Sequence, residues 1–323
     1  MKFKLDFDIT PPPKLLHIKS PVALWGSCFA EHMALKLKRH KFNLVQNPNG
    51  IQYNPISIFQ SISDCMSQAE ISNNSLFEYN GLWHSWEHHG RFKATSRNTL
   101  IENIRTERLL MHGQLKHSEF LIITFGNAWV YEHPEYKGVV ANCHKIPATA
   151  FKKRLLEVDE IVQAFLQLLT KFPALLQKQW IFTVSPVRYS KDGLVENNRS
   201  KAVLLQAVHN MIQRYPEMYY FPAYEILIDE LRDYRFYDSD LVHPSAQAIQ
   251  YIYDRFRETV FDSETKLILH EVEDLVTASE HRHLHPGTEA HLKFMDAYLK
   301  KTEALAKKYP FLDLKEEMQH FII

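Results

Sequence analysis

The chain has 323 residues, of which 45% are hydrophobic, enough for one large α/β domain with an appendage or for two small domains. Its 38 Lys and Arg balance 38 Asp and Glu, which excludes a global field that would draw it to nucleic acid or to an anionic membrane. Three unevenly spaced cysteines, Cys28, Cys65 and Cys143, exclude a disulfide framework and a zinc ribbon, and the lack of an apolar signal core or an 18-residue apolar run makes the cytoplasm the expected location.

Residues 1–9 alternate apolar and charged side chains, as an edge or arm strand does, and Thr10-Pro11-Pro12-Pro13 forces an extended lead into the first core strand. Val22 to Trp25 is a short apolar run suited to a buried strand, Gly26-Ser27 a tight turn, and Phe29 to about His40 a helix. The loop Asn47-Pro48-Asn49-Gly50 precedes a helix over residues 55–66. Residues 73–95, rich in Trp and His, read as a loop with short strands that either walls a pocket, with His89 as a substrate contact, or caps the sheet.

A charged surface helix over residues 98–117 leads to Phe120-Leu121-Ile122-Ile123-Thr124-Phe125, the clearest buried parallel strand in the chain. Residues 152–172 carry a helical stripe that Pro173 ends, and residues 180–185 are a second buried strand running into Pro186-Val187-Arg188. A polar loop over residues 190–197, a helix over 198–215 and a last strand with its exit at 219–225 follow. His243-Pro244-Ser245 opens another helix, with Pro at its first position.

Strand alternating with long helix predicts a doubly wound parallel sheet seeded by Val22, Phe120, Trp180 and Tyr220, with a fifth strand inside residues 42–95. Beyond residue 263 the sequence is charged and helical, over residues 266–278 and 288–309. This predicts a main domain of residues 1–263 and a helical extension of residues 264–323, packed on that domain or on a second copy of the chain. Between the two helices, His281, His283 and His285 alternate; bare imidazoles of this kind form a zinc site or, more commonly, a surface loop.

Ser27 stands where a strand hands over to a helix, which puts its hydroxyl at the edge of an open α/β sheet where ligands bind. Its amide sits at a helix N-terminus suited to a developing oxyanion. The same Gly-Ser is also ordinary turn and N-cap chemistry. What adds weight is Asp240-Leu241-Val242-His243. At this spacing the carboxylate can meet Nδ1 of the imidazole on one turn and leave Nε2 to take a serine proton. Arg188 ends a buried strand at the same edge, where its guanidinium forks onto an anionic substrate group or pairs with an acid such as Glu196. Gly50 can bring a backbone N–H to the oxyanion or be a turn glycine. Cys28, beside the serine, reads as a small residue packed under the first helix.

The run Gly26-Ser27-Cys28-Phe29-Ala30 resembles the motif that gives the GSCFA family its name, a branch of the SGNH (GDSL-like) hydrolases. The resemblance continues through residues 47–55, Gly126-Asn127-Ala128-Trp129-Val130-Tyr131, Thr183-Val184-Ser185-Pro186-Val187-Arg188 and Asp240 to Pro244. It implies an SGNH/flavodoxin-like three-layer α/β sandwich without metal or cofactor. Ser27, Asp240 and His243 would be catalytic, with Ser27, Gly50 and Asn127 donating to the oxyanion. Where SGNH enzymes carry Gly-x-Asn, Asn127 follows Gly126 directly, so Asn127, its loop backbone or Asn54 has to serve. The implied activity is that of a serine esterase on an acyl or acetyl ester, such as one on a carbohydrate, with an acyltransferase and a silent ligand-binding module as alternatives.

Overall fold

The computed structural model describes residue 5, residues 7–281 and residues 285–322. Five strands form one parallel sheet: β1 (Val22–Gly26), β2 (Leu44–Gln46), β3 (Phe120–Phe125), β4 (Gln179–Val184) and β5 (Tyr219–Tyr220). Their spatial order is β5-β4-β3-β1-β2, with β1 in register against β3 from Val22 opposite Phe120 to Gly26 opposite Thr124. Parallel strands need long crossovers, and helices supply them. These are α1 (Cys28–Arg39), α2 (Pro55–Ser67), α3 (Arg97–His117), α4 (Val158–Lys171) and α5 (Leu194–Arg214). After β5 come α6 (Ala246–Val260), α7 (Ser263–Glu280), α8 (Glu289–Lys308) and α9 (Lys315–Phe321).

Side chains alternate across a strand, and the sheet uses both faces. Val22, Leu24, Phe120 and Ile122 enter an apolar cluster with α1, α6, α7 and residues of α8 and α9. Ala23, Trp25, Leu121, Ile123 and Phe125 enter another with α2 to α5. Strands buried on both sides read as continuous apolar runs, as Phe120–Phe125 does. Because α1 lies on one face while α2 and α3 lie on the other, the chain reverses its winding between β1 and β3. In open α/β sheets the crevice outside the strand ends at such a reversal is the ligand site.

A three-stranded antiparallel sheet of Trp129–His133, Gly138–Val140 and Lys152–Leu155 stands beyond the end of β3, and Leu76–Tyr79 pairs with Leu82–Ser85 in a hairpin. Several boundaries differ from expectation. The stripe over residues 152–172 begins as the strand Lys152–Leu155, because Leu155 to Trp129 and Lys153 to Tyr131 are backbone pairs. Helix α5 starts inside the expected polar loop, at Leu194. Pro244 is not the first residue of a helix: Ser245 caps α6 by accepting the Ala248 N–H, and Pro244 bridges to Tyr237. Residues 5 and 7–9 form no strand, while residues 1–4 and 6 of the expected N-terminal arm and residues 282–284 of the histidine cluster lie outside the described residues. Among those described, no helix is long and apolar enough to cross a membrane.

Candidate functional site

Gly26 ends β1 with φ +148°, and a Cβ there would sit 2.4 Å from the Thr124 carbonyl oxygen. Only glycine lets β1 lie this close to β3 while the chain turns into α1. Ser27 follows as the N-cap residue of α1, yet its side chain makes no capping hydrogen bond. Its Oγ is buried without a partner. The side chain faces a cavity of about 430 Å³. Plain N-cap chemistry therefore does not account for this serine, since a capping hydroxyl would accept from the first turn of the helix.

His243 lines the same cavity. Asp240 Oδ1 accepts the N–H groups of Val242 (2.8 Å) and His243 (2.9 Å), and its Oδ2 accepts from His243 Nδ1 at 2.6 Å. The backbone N–H of His243, then its imidazole, then the N–H of Val242 pull the Asp240 carboxyl down to about 2. A carboxylate only accepts, so Nδ1 carries the proton and Nε2 is left as the acceptor. Leu241 makes this turn possible with φ +58°. The structure thus brings Asp240 and His243 together and puts His243 and Ser27 on one cavity, but no Ser27–His243 hydrogen bond is made.

Asn127 is 8% exposed and also lines the cavity. Its Oδ1 accepts from the Trp129 N–H at 3.0 Å and from Ser200 Oγ at 2.7 Å, while Ser200 Oγ accepts the Ala128 N–H at 2.7 Å. Two fixed donors on Oδ1 settle the amide orientation, and no hydrogen bond among the described residues uses Nδ2. The backbone alternative is closed, because the N–H groups of Gly126 and Asn127 both go to the Tyr53 carbonyl, at 2.8 and 2.9 Å. A Cβ on Gly126 would lie 3.3 Å from Ser27 Cβ, which measures how closely this loop approaches the serine.

Three expected contacts fall elsewhere. Gly50 donates its N–H to Asn47 O at 2.8 Å and holds φ +76° against His89 Cβ, so it is a turn glycine with no free donor. Asn54 lines the cavity but spends both ends of its amide on Ser57, capping α2. His89 packs on Gly50 and is not among the cavity residues.

Arg188 does line the cavity, and it does not pair with Glu196, which holds Arg199 instead. Its Nη1 donates to Leu241 O at 3.1 Å, its backbone N–H donates to Val242 O, and its guanidinium lies 3.9 Å from the Tyr237 ring centre. Cys28 lines the cavity as well, and burial pushes its thiol up, away from the thiolate a nucleophile needs. No group of three or more His, Cys, Asp or Glu that could hold a metal ion occurs among the described residues.

Other cavity residues have no role assigned from the sequence: Tyr53, Trp129, Tyr131 and Tyr189 as aromatic walls, and Lys191 as a cation. Ser200 and Lys201 lie just behind it, buried on α5. The stripe Asn197, Ser200, Lys201, Leu204, Ala207, Val208 and Met211 carries the signal, because a lysine occupies a helical core position.

Family models match two parts of the chain. The first, described as the GSCFA family, covers residues 21–256; the second, the C-terminal domain of GSCFA domain proteins, covers residues 272–322. The chain belongs to the GSCFA family. No curated protein matches it. The first GSCFA match contains every residue of the cavity described above, and the second begins inside α7.

Proposed function

We propose that this GSCFA protein is an SGNH-type serine hydrolase acting on esters. The observation that carries the reading is the N-cap serine that does not cap: a buried Ser27 hydroxyl with no partner, on one cavity with an imidazole held through Nδ1 by Asp240. The sheet order, with helices against both faces, accords with the flavodoxin-like three-layer sandwich of that superfamily.

In this mechanism Ser27 Oγ attacks the ester carbonyl as its proton passes to His243 Nε2. The tetrahedral oxyanion takes the N–H of Ser27 and Asn127 Nδ2. Collapse breaks the bond to the alcohol, which leaves with the proton from His243. Water, deprotonated by the same imidazole, then releases the acid from Ser27. Asp240 stays ionised and holds the tautomer. An open Ser–His contact is compatible with this chemistry, because catalytic hydrogen bonds in ligand-free sites tighten when substrate is bound.

The charged side chains on the cavity wall point to the substrate. Arg188 and Lys191 line it and no Asp or Glu does, which favours an ester carrying a carboxylate or phosphate. A fluorophosphonate probe should label Ser27, and His243→Ala should abolish that labelling, as read by peptide mapping of the adduct. Adduct on another serine, or none on the folded protein, removes the assignment and leaves a ligand-binding module.

A further inference from the structure

Helix α5 carries a charge at a core position. Lys201 is 2% exposed, and its Nζ donates to Gly126 O at 2.8 Å and to Ser185 O at 2.6 Å. No carboxylate pairs with it among the described residues. The titratable groups that face it are the Cys28 thiol at the start of α1 and the Tyr224 ring, 5.8 Å from Nζ. An ammonium in such a place is costly, and a Met would fill the same volume at lower cost.

What it touches explains its position. Gly126 follows β3 and Ser185 follows β4, and both line the Ser27 cavity. The neighbouring Ser200 grips the same loop one residue on, through Asn127 Oδ1 and the Ala128 N–H. Two successive side chains of α5 therefore fix the loop that carries the Asn127 amide.

We infer that Lys201 is a positioning residue of the oxyanion pocket: its ammonium ties the Gly126 and Ser185 carbonyls together and sets a positive charge behind Ser27 and Asn127. The inference rests on the serine-hydrolase reading. A fixed positive charge in a water-poor site lowers the energy of an anion that forms beside it without reorganising during the reaction. Burial draws the Lys201 group down to about 7, so the charge is present in acid, is lost as pH rises through neutrality, and is favoured again when an oxyanion forms. The neutral amine retains two N–H groups for the two carbonyls, so deprotonation removes charge before it removes structure.

The test follows the rate of Ser27 labelling by a fluorophosphonate, with kcat and KM for p-nitrophenyl acetate, across roughly pH 5.5 to 9.5, a span that brackets both a histidine base and this lysine. Wild type should show a rate that rises and then falls on the alkaline side. Lys201→Met should react on the order of tenfold more slowly at neutral pH, through kcat with KM little changed, and should lack the descending limb. Lys201→Gln, which keeps two N–H donors on one nitrogen without charge, replaces it should the Met variant not fold.

A folded variant with the wild-type rate, or one that keeps the descending limb, overturns the inference and leaves the esterase reading intact. A wild-type rate that holds level to the alkaline end overturns it as well, with no variant needed. Absence of any Ser27 labelling in wild type overturns the esterase reading and takes this inference with it.

Discussion

At the residue scale the decisive side chain is the amide of Asn127. Its Oδ1 is committed to the Trp129 N–H and Ser200 Oγ, so Nδ2 is the group presented to the cavity. Asn127→Asp keeps the shape and both Oδ1 contacts but replaces the donor by a carboxylate oxygen. Turnover should fall by roughly 10² to 10³, the effect of losing one oxyanion donor, while circular dichroism shows an unchanged fold; an undiminished rate would dismiss Asn127 from the oxyanion pocket. Asp240 offers a second residue-scale test. Asp240→Asn can still accept the N–H groups of Val242 and His243, yet it turns an N–H toward Nδ1 and favours the wrong tautomer. A loss on the order of 10⁴ in kcat is expected, measured beside melting temperature, and a rate like wild type would mean that another acid orients His243. That Ser27, His243 and Asn127 meet on one cavity, with Asp240 on His243, was legible because each sits in a short run whose neighbours fix the local turn. Ser200 and Lys201 were not, because they reach the site from the middle of a helix, where sequence shows periodicity but not what lies across the packing. Gly50 misled for the converse reason: a glycine with positive φ serves a turn or a ligand equally well, and only the Asn47 carbonyl decides between them.

At the scale of elements, two connections meet at the cavity mouth: the exit of β4 through Arg188, and the turn that carries Asp240 and His243. Arg188 donates to the Leu241 and Val242 carbonyls and stacks on Tyr237, so it braces the histidine turn besides offering its remaining donors to the cavity. Among the described residues Lys191 makes no hydrogen bond to that turn; its Nζ lies 5.8 Å from the Tyr131 ring centre. Lys191→Ala should weaken kcat/KM for an acidic ester several-fold and leave a matched neutral ester unchanged, roughly the effect of losing one exposed charge contact. Arg188→Ala should lower both, because it releases Leu241 as well. Equal losses on the two esters in Lys191→Ala would reject the anionic substrate. Element by element, the sequence was most readable where burial is two-sided, as in Phe120–Phe125, and least where a strand is short or charged. Lys152–Leu155 carries three cations and is a strand only because Trp129 and Tyr131 pair with it; β2 is three residues long and is defined by pairing with β1.

Over the whole molecule, the C-terminal helices share one apolar cluster with a face of the sheet. Ile268, Leu269, Val272 and Leu275 of α7 pack in the same group as Phe29, Ile252 and Phe256, so stability measured anywhere in this core reports on the sheet and on these helices together. The fold also encloses neutral imidazoles, and these set its response to acid. His88 is fully buried, its Nδ1 bonded to Ser85 Oγ at 2.8 Å and its Nε2 without a partner; burial pulls it to about 3. His144, bonded through Nε2 to Ser85 O, is pulled to about 4 by the same cause. Unfolded, each titrates near 6.5. Between that value and its native one, the unfolded chain binds the extra proton, so the contribution of these two groups is complete above about pH 6.5 and declines as pH falls, by up to about 1.4 kcal/mol per pH unit for each group. Asp240, held at about 2 and exposed, acts only below this window. Melting temperature should therefore drop steadily from about pH 6.5 toward pH 4.5, while Lys201, drawn down to about 7, adds a gain in stability as pH rises above neutrality. His88→Leu, which removes one of these proton acceptors, should have a lower melting temperature at neutral pH and a shallower fall in acid. A wild-type melting temperature independent of pH over that range, or a variant with the wild-type slope, would show that these imidazoles are not held neutral by burial.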